Sequence, residues 1–202
     1  IEAVGQVGKL AVPAGAEVLG WDLRLKDVTG TGVPKLSVRR DQLPSGSVNT
    51  GWSGRPSQGS TWGTGNQWVA QVDWSRRTQD AGNTTDVSAR RLVMGMGRPL
   101  EPGTYLVGVQ NTSATALANY TIESRGIGTG MIFPVNNLSY AGGSATVSGL
   151  APREASYYKV SIPANTPSWE FTVDPTVGEM MAVVRRGAIP DYGGEQPYSS
   201  DG

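Results

Sequence analysis

Cysteine and histidine are both absent from the 202 residues. Without cysteine there are no disulfides, no thiolate zinc sites and no iron–sulfur clusters. Without histidine there is no Ser-His-Asp or Cys-His nucleophilic machinery and no histidine-ligated metal. Charge of either sign is not in excess. Lys+Arg 17 balances Asp+Glu 17, for a formal net charge of +0, so no field gathers phosphates and nucleic acid is not an expected partner. No stretch approaches the ~20 apolar residues of a membrane helix, so membrane insertion is not expected either. Carboxylate chemistry, oxygen-ligated calcium and non-catalytic binding survive these exclusions. Glycine (28) and proline (13) are plentiful, which calls for many turns. A hydrophobic content of 38% supports a core, and the length suggests one to two domains. The chain opens on Ile1-Glu2-Ala3-Val4 with no initiator Met or signal peptide. It reads as a mature product, a proteolytic fragment or a portion of something larger. The N-x-S/T sequons at Asn83, Asn111, Asn119 and Asn137 read as coincidences of a Thr/Ser/Asn-rich composition.

Period-two alternation dominates what is present. Trp21, Leu23 and Leu25 alternate with Asp22, Arg24 and Lys26. Tyr105, Val107 and Val109 share a face, as do Tyr120 with Ile122, and Leu92 with Met94 and Met96. Such alternation is the signature of half-buried strands, and no amphipathic helix of useful length competes with it. Turn signals separate the strands: Pro13-Ala14-Gly15, Thr29-Gly30-Thr31-Gly32, Pro44-Ser45-Gly46, Glu101-Pro102-Gly103 and Ala141-Gly142-Gly143. The expected class is all-β, an antiparallel β-sandwich or jelly-roll-like fold.

Residues 45–66 break the pattern. They are rich in Gly, Ser, Thr and Asn, carry Trp52 and Trp62, and read as a long loop between strands. Trp52, Trp62, Trp68 and Trp74 lie close together in sequence. Trp68 and Trp74 fall on the apolar side of an alternating run and are expected in the core. Trp52 and Trp62 could face solvent or cover the sandwich edge. If exposed, they could stack on sugar rings, with Arg55, Asn66 and Gln67 supplying hydrogen bonds. Trp52, Trp62, Arg55 and Asn66 are therefore the candidate ligand-binding residues.

The start of the chain recurs near its end. Lys9-Leu10-Ala11-Val12-Pro13-Ala14 is similar to Lys159-Val160-Ser161-Ile162-Pro163-Ala164. Trp21-Asp22-Leu23-Arg24-Leu25 is similar to Trp169-Glu170-Phe171-Thr172-Val173, and Leu36-Ser37-Val38-Arg39-Arg40 to Ala182-Val183-Val184-Arg185-Arg186. The interval is about 150 residues and shortens slightly along the repeat, as turn deletions would cause. Inward positions stay apolar in both copies, so strand register is kept. The expected organisation is a β-sandwich module over residues 1–127, a linker and the first strand of a next unit over 128–155, and a partial second module over 156–202. Such a chain looks like a window on a longer tandem array, with residues 156–191 packing against residues outside it.

The run from Lys9 to Pro44 resembles the bacterial pre-peptidase C-terminal domain family. The resemblance rests on Val12-Pro13-Ala14-Gly15, on Leu36-Ser37-Val38-Arg39-Arg40 with Leu43-Pro44, on Gly103-Thr104-Tyr105-Leu106-Val107-Gly108-Val109 and on Asn119-Tyr120-Thr121-Ile122. Val184-Arg185-Arg186-Gly187-Ala188-Ile189-Pro190 repeats part of it. It covers residues 8–125 and about 156–191. Where that family often carries acidic residues before this strand, Val33-Pro34-Lys35 and Glu179-Met180-Met181 stand instead. The resemblance implies a compact sandwich, exported, attached to secreted enzymes or large surface proteins, and usually non-catalytic. Some relatives bind collagen, polysaccharide or calcium, so a fold alone does not set the function.

The remaining charged residues read as structural. Arg39-Arg40 and Arg185-Arg186 recur at one repeat position, as a strand end with local ion pairs or as a contact between units. Asp73, Asp80, Asp86 and Glu101 have no spacing that marks a glycosidase pair. Asp22, Asp27, Asp41 and Asp174 could hold calcium with backbone carbonyls, but no D-x-D-x-D-G loop supports it. The expected protein is not an enzyme and needs no cofactor. It is an extracellular or cell-surface module acting in structural spacing, adhesion or assembly. Its partners would be other domains of the same large protein or neighbouring copies, or polysaccharide. A carbohydrate-binding module using the Trp loop is the alternative, and a carboxylate glycosidase is a third reading.

Overall fold

The computed structural model describes residues 17–44, 62–70, 90–151 and 154–190. Trp52, Arg55, Trp74, Asp73, Asp80 and Asp86 lie outside them. Among the described residues eight strands follow one another: β1 (Glu17–Thr29), β2 (Pro34–Arg40), β3 (Gln67–Val69), β4 (Arg91–Met94), β5 (Tyr105–Asn111), β6 (Asn119–Thr129), β7 (Phe133–Asn137) and β8 (Tyr157–Lys159). No α-helix occurs among the described residues. The strands build a five-stranded sheet, order β4-β1-β6-β7-β8, and a three-stranded sheet, order β3-β2-β5. The protein is all-β with two mostly antiparallel sheets, in agreement with the alternation. Two pairings depart from the expected antiparallel pattern: β6 with β7, and β7 with β8, run parallel. Both are short, two and three residue pairs long, and extend the first sheet sideways.

β1 and β2 sit in different sheets, so the turn at Gly30 carries the chain across the sandwich. The inward residues of both sheets then meet. Trp21, Leu23 and Leu25 from β1 pack with Leu36 and Val38 from β2, Leu92 and Met94 from β4, and Tyr105 and Val107 from β5. Burying each large apolar side chain contributes about 1.5–3 kcal/mol. Four aromatic rings run through this core. Trp62 lies 5.1 Å from Trp68, Trp68 is 6.2 Å from Tyr105, and Tyr105 is 6.2 Å from Trp21 at an edge-on angle of 63°. Tilted and edge-on pairs of this kind are favoured over flat stacking. The buried Tyr105 hydroxyl donates to the Glu101 carbonyl at 2.8 Å, the geometry of a tyrosine corner.

A second apolar cluster covers the opposite face of the five-stranded sheet. Val93, Met96, Ile127, Val135, Tyr157 and Ile189 compose it. Val93 is the outward residue between Leu92 and Met94, so β4 is buried on both faces. Close backbone approach marks this region. Gly95 has φ of 102°, and a Cβ there would stand 2.3 Å from the Leu19 carbonyl oxygen. Only glycine fits such a position without displacement.

Beyond β8 the chain changes character. Residues 160–188 belong to no strand, and Ile189 makes a single parallel bridge to Met96. This is the segment that repeats β1 and β2.

Candidate functional site

Of the candidate ligand-binding residues, Trp62 and Asn66 lie among the described residues. Trp62 is 3% exposed. Its ring lies on Trp68, and its indole N–H donates to the Pro99 carbonyl at 2.8 Å. Trp62 is therefore a core residue with no free face for a sugar. The sequence hid this because the residue stands in a glycine-rich stretch, while its ring packs against Trp68 of β3. Asn66 is exposed in the turn before β3. Its backbone carbonyl accepts from the Arg40 amide at 3.0 Å and its amide donates to Gly63 at 3.1 Å. Trp68 is fully buried, as its alternation requires.

Arg39 and Arg40 fasten this same turn. Arg39 Nε donates to the Gly65 carbonyl at 2.9 Å and its Nη1 to Leu43 at 3.3 Å. Arg40 donates to the Trp62 carbonyl, to Glu101 at 3.1 Å and to Pro102 at 3.2 Å, and lies 5.8 Å from the Tyr105 ring centre. Burial pushes the Tyr105 hydroxyl up to about 12.

The acids considered for calcium are kept apart. Asp22 is wholly engaged by arginines, Asp27 has a φ of 51° where the β1–β6 register shifts, Asp41 has a φ of 59° in the bend after β2, and Asp174 is exposed. Among the described residues no three acidic side chains gather into a metal-binding group.

A different charged centre stands on the outer face of the five-stranded sheet, and sequence reasoning missed it. Asp22 is fully buried there. Arg24 on its own strand, Arg91 on β4 and Arg125 on β6 all converge on it, at 2.6, 3.1 and 2.9 Å. Register explains the convergence: Asp22 faces Arg125 directly, and Arg24 faces Arg91. Glu154 reaches in from the segment before β8 to pair with Arg24 and, at 3.1 Å, with Arg125. Burial alone would raise the Asp22 carboxyl. The hydrogen bond from Arg24 and the charges of Arg91, Arg24 and Arg125 outweigh it and hold the group below its usual range. Glu154 is likewise lowered against its burial by hydrogen bonds from Arg24 and Arg125. The signal in the sequence was the acid at an outward position of β1 beside Arg24, but its other partners lie on strands distant in sequence.

The same neighbourhood ties the C-terminal segment down. Lys159 donates to both oxygens of Glu17 at 2.9 Å, and that hydrogen bond lowers Glu17. Tyr157 packs on Phe133, with ring centres 5.1 Å apart. Ile189 closes over Gly20, where a Cβ would stand 2.3 Å from its Cδ1.

Between these anchors the repeat is open. In the first copy Trp21, Leu23 and Leu25 are buried. Their counterparts Trp169, Phe171 and Val173 are half-buried, 44% exposed and 42% exposed. Val38 is fully buried, whereas its counterpart Val184 is 62% exposed. Met180, Met181 and Val183 are exposed as well. The segment from 169 to 186 is an exposed surface of strand-forming apolar residues, with no ladder partner among the described residues. Compared with protein-family models, with curated proteins and with solved structures, the chain matches none.

Proposed function

We propose that the protein is a non-catalytic β-sandwich module of a larger secreted or cell-surface protein, and that it acts in structural spacing and assembly through its C-terminal arm. One observation carries the reading. Residues 169–173 and 182–186 repeat the pattern of β1 and β2, yet their inward positions are half-buried or exposed where those of β1 and β2 are buried. In the first unit β1 is held by β4 and β6, and β2 by β3 and β5. The arm has none of these neighbours among the described residues. Unpaired strand-forming segments add to other β-structure, so the arm is the opening pair of strands of a further unit. The resemblance to the pre-peptidase C-terminal domain family supports an exported, non-catalytic role.

The test is fragment complementation. A synthetic peptide of residues 90–129 carries β4, β5 and β6, the strands that flank β1 and β2. Added to the full chain, it is expected to slow amide hydrogen exchange at 169–173 and 182–186. Unchanged exchange at those residues, with millimolar peptide, would overturn the reading.

A sugar-binding role is the second reading, and it depends on Trp52, since Trp62 is in the core. A glycan array comparing the chain with Trp52→Ala decides it.

A further inference from the structure

The arm carries an acid at the place where β1 carries its buried one. Trp169-Glu170-Phe171 stands at the repeat position of Trp21-Asp22-Leu23. In an extended strand Trp169 and Phe171 share one face and Glu170 points to the other; the two rings are 5.8 Å apart. Glu170 is exposed and has no ion pair among the described residues. In β1 the corresponding Asp22 is fully buried and requires arginine from both sides. A buried carboxylate without such partners is strongly unfavourable. The arm cannot supply the local cation itself, because Thr172 stands where β1 has Arg24. The cation therefore has to come from a flanking strand.

Resting on the assembly reading above, we infer that the arm's partner is an antiparallel β6-like strand bearing an arginine directly across from Glu170. The register of the first unit gives the position, since Asp22 faces Arg125 across the β1–β6 ladder. The apolar face of 169–173 supplies adhesion, and the Glu170–arginine pair fixes register. A one-residue slip would put the carboxylate into the core and the rings into solvent.

The experiment uses the full chain with the 90–129 peptide as probe, followed by amide exchange at 169–173. Peptide carrying Arg125→Glu is expected to bind about tenfold more weakly or worse, since like charges then face each other. The Glu170→Arg chain is expected to show the reverse preference, binding the Arg125→Glu peptide and rejecting the native one. Because Glu170 is exposed and the second change is in the peptide alone, the first unit's fold is untouched. Binding of native peptide that is indifferent to both charges would overturn the arginine assignment while leaving the assembly reading intact. Absence of any binding would overturn both.

Discussion

Replacing Asp22 by Asn is the sharpest perturbation of the first unit. Asp22 has no exposed surface, and three guanidinium groups converge on it between 2.6 and 3.1 Å. Those arginines are themselves only 14–20% exposed. The substitution keeps the volume and removes the charge. It leaves Arg24, Arg91 and Arg125 facing one another, with Glu154, and Glu123 at 3.7 Å from Arg24 and 3.8 Å from Arg125, as the remaining counter-charges. Breaking a buried pair on one side costs about 3–5 kcal/mol, a large part of a domain's total of about 5–15 kcal/mol. Urea unfolding followed by tryptophan fluorescence would show it as a midpoint lowered by roughly 1–3 M. The exposed pair Lys159–Glu17 is the control: Lys159→Gln is expected to cost about 0.2–1 kcal/mol. The wild type carries a pH signature of the same centre. Asp22 and Glu154 are lowered from ordinary values of 3.8 and 4.5. Their contribution is thus complete above those values and is lost as pH falls through the lower folded ones. Asp22→Asn should flatten this acid limb. A loss below about 1 kcal/mol, with the acid limb unchanged, would refute the reasoning.

Other outcomes follow from single contacts. Tyr105→Phe removes the hydrogen bond to Glu101 and is expected to cost about 0.5–1.5 kcal/mol in the same assay. It should also remove an alkaline limb. The Tyr105 hydroxyl is raised from 10.0 to about 12, so its contribution is complete below pH 10 and fades as pH climbs toward 12. Ile189→Asp introduces a charge into the apolar cluster over Gly20. Exchange at the Gly97 amide, which donates to the Ile189 carbonyl at 3.0 Å, should accelerate while Val107 stays protected.

β1, β2 and β5 were legible because each buries one face along an alternating run. Alternation at Trp21, Leu23 and Leu25, and at Tyr105 and Val107, needs only the local sequence to be read. The parallel β7 and β8 were not legible. Their three-to-five-residue lengths carry little periodicity, and their pairing depends on a sheet edge built elsewhere. Val93 shows the same limit: it stands at an outward position and is buried because Ile189 and its neighbours arrive from far along the chain. Trp62 looked available because composition describes a loop's polarity and not where the loop closes. The charged centre escaped notice since Asp22, Arg91, Arg125 and Glu154 meet only once four segments have been laid side by side. The repeat, by contrast, was plain in the sequence, and the structure shows the same pattern buried in one copy and exposed in the other. That contrast is physical: a strand is stable through its neighbours, and hydrophobic pattern alone does not provide them.

Residue-resolved amide hydrogen exchange on the full chain, with and without the 90–129 peptide, tests the central claim most directly. The account predicts slow exchange at 21–25 and 36–40 under both conditions. It predicts fast exchange at 169–173 and 182–186 for the chain alone, slowing when the peptide is added. Slow exchange of the arm in the chain alone, or fast exchange that the peptide leaves unchanged, would contradict it.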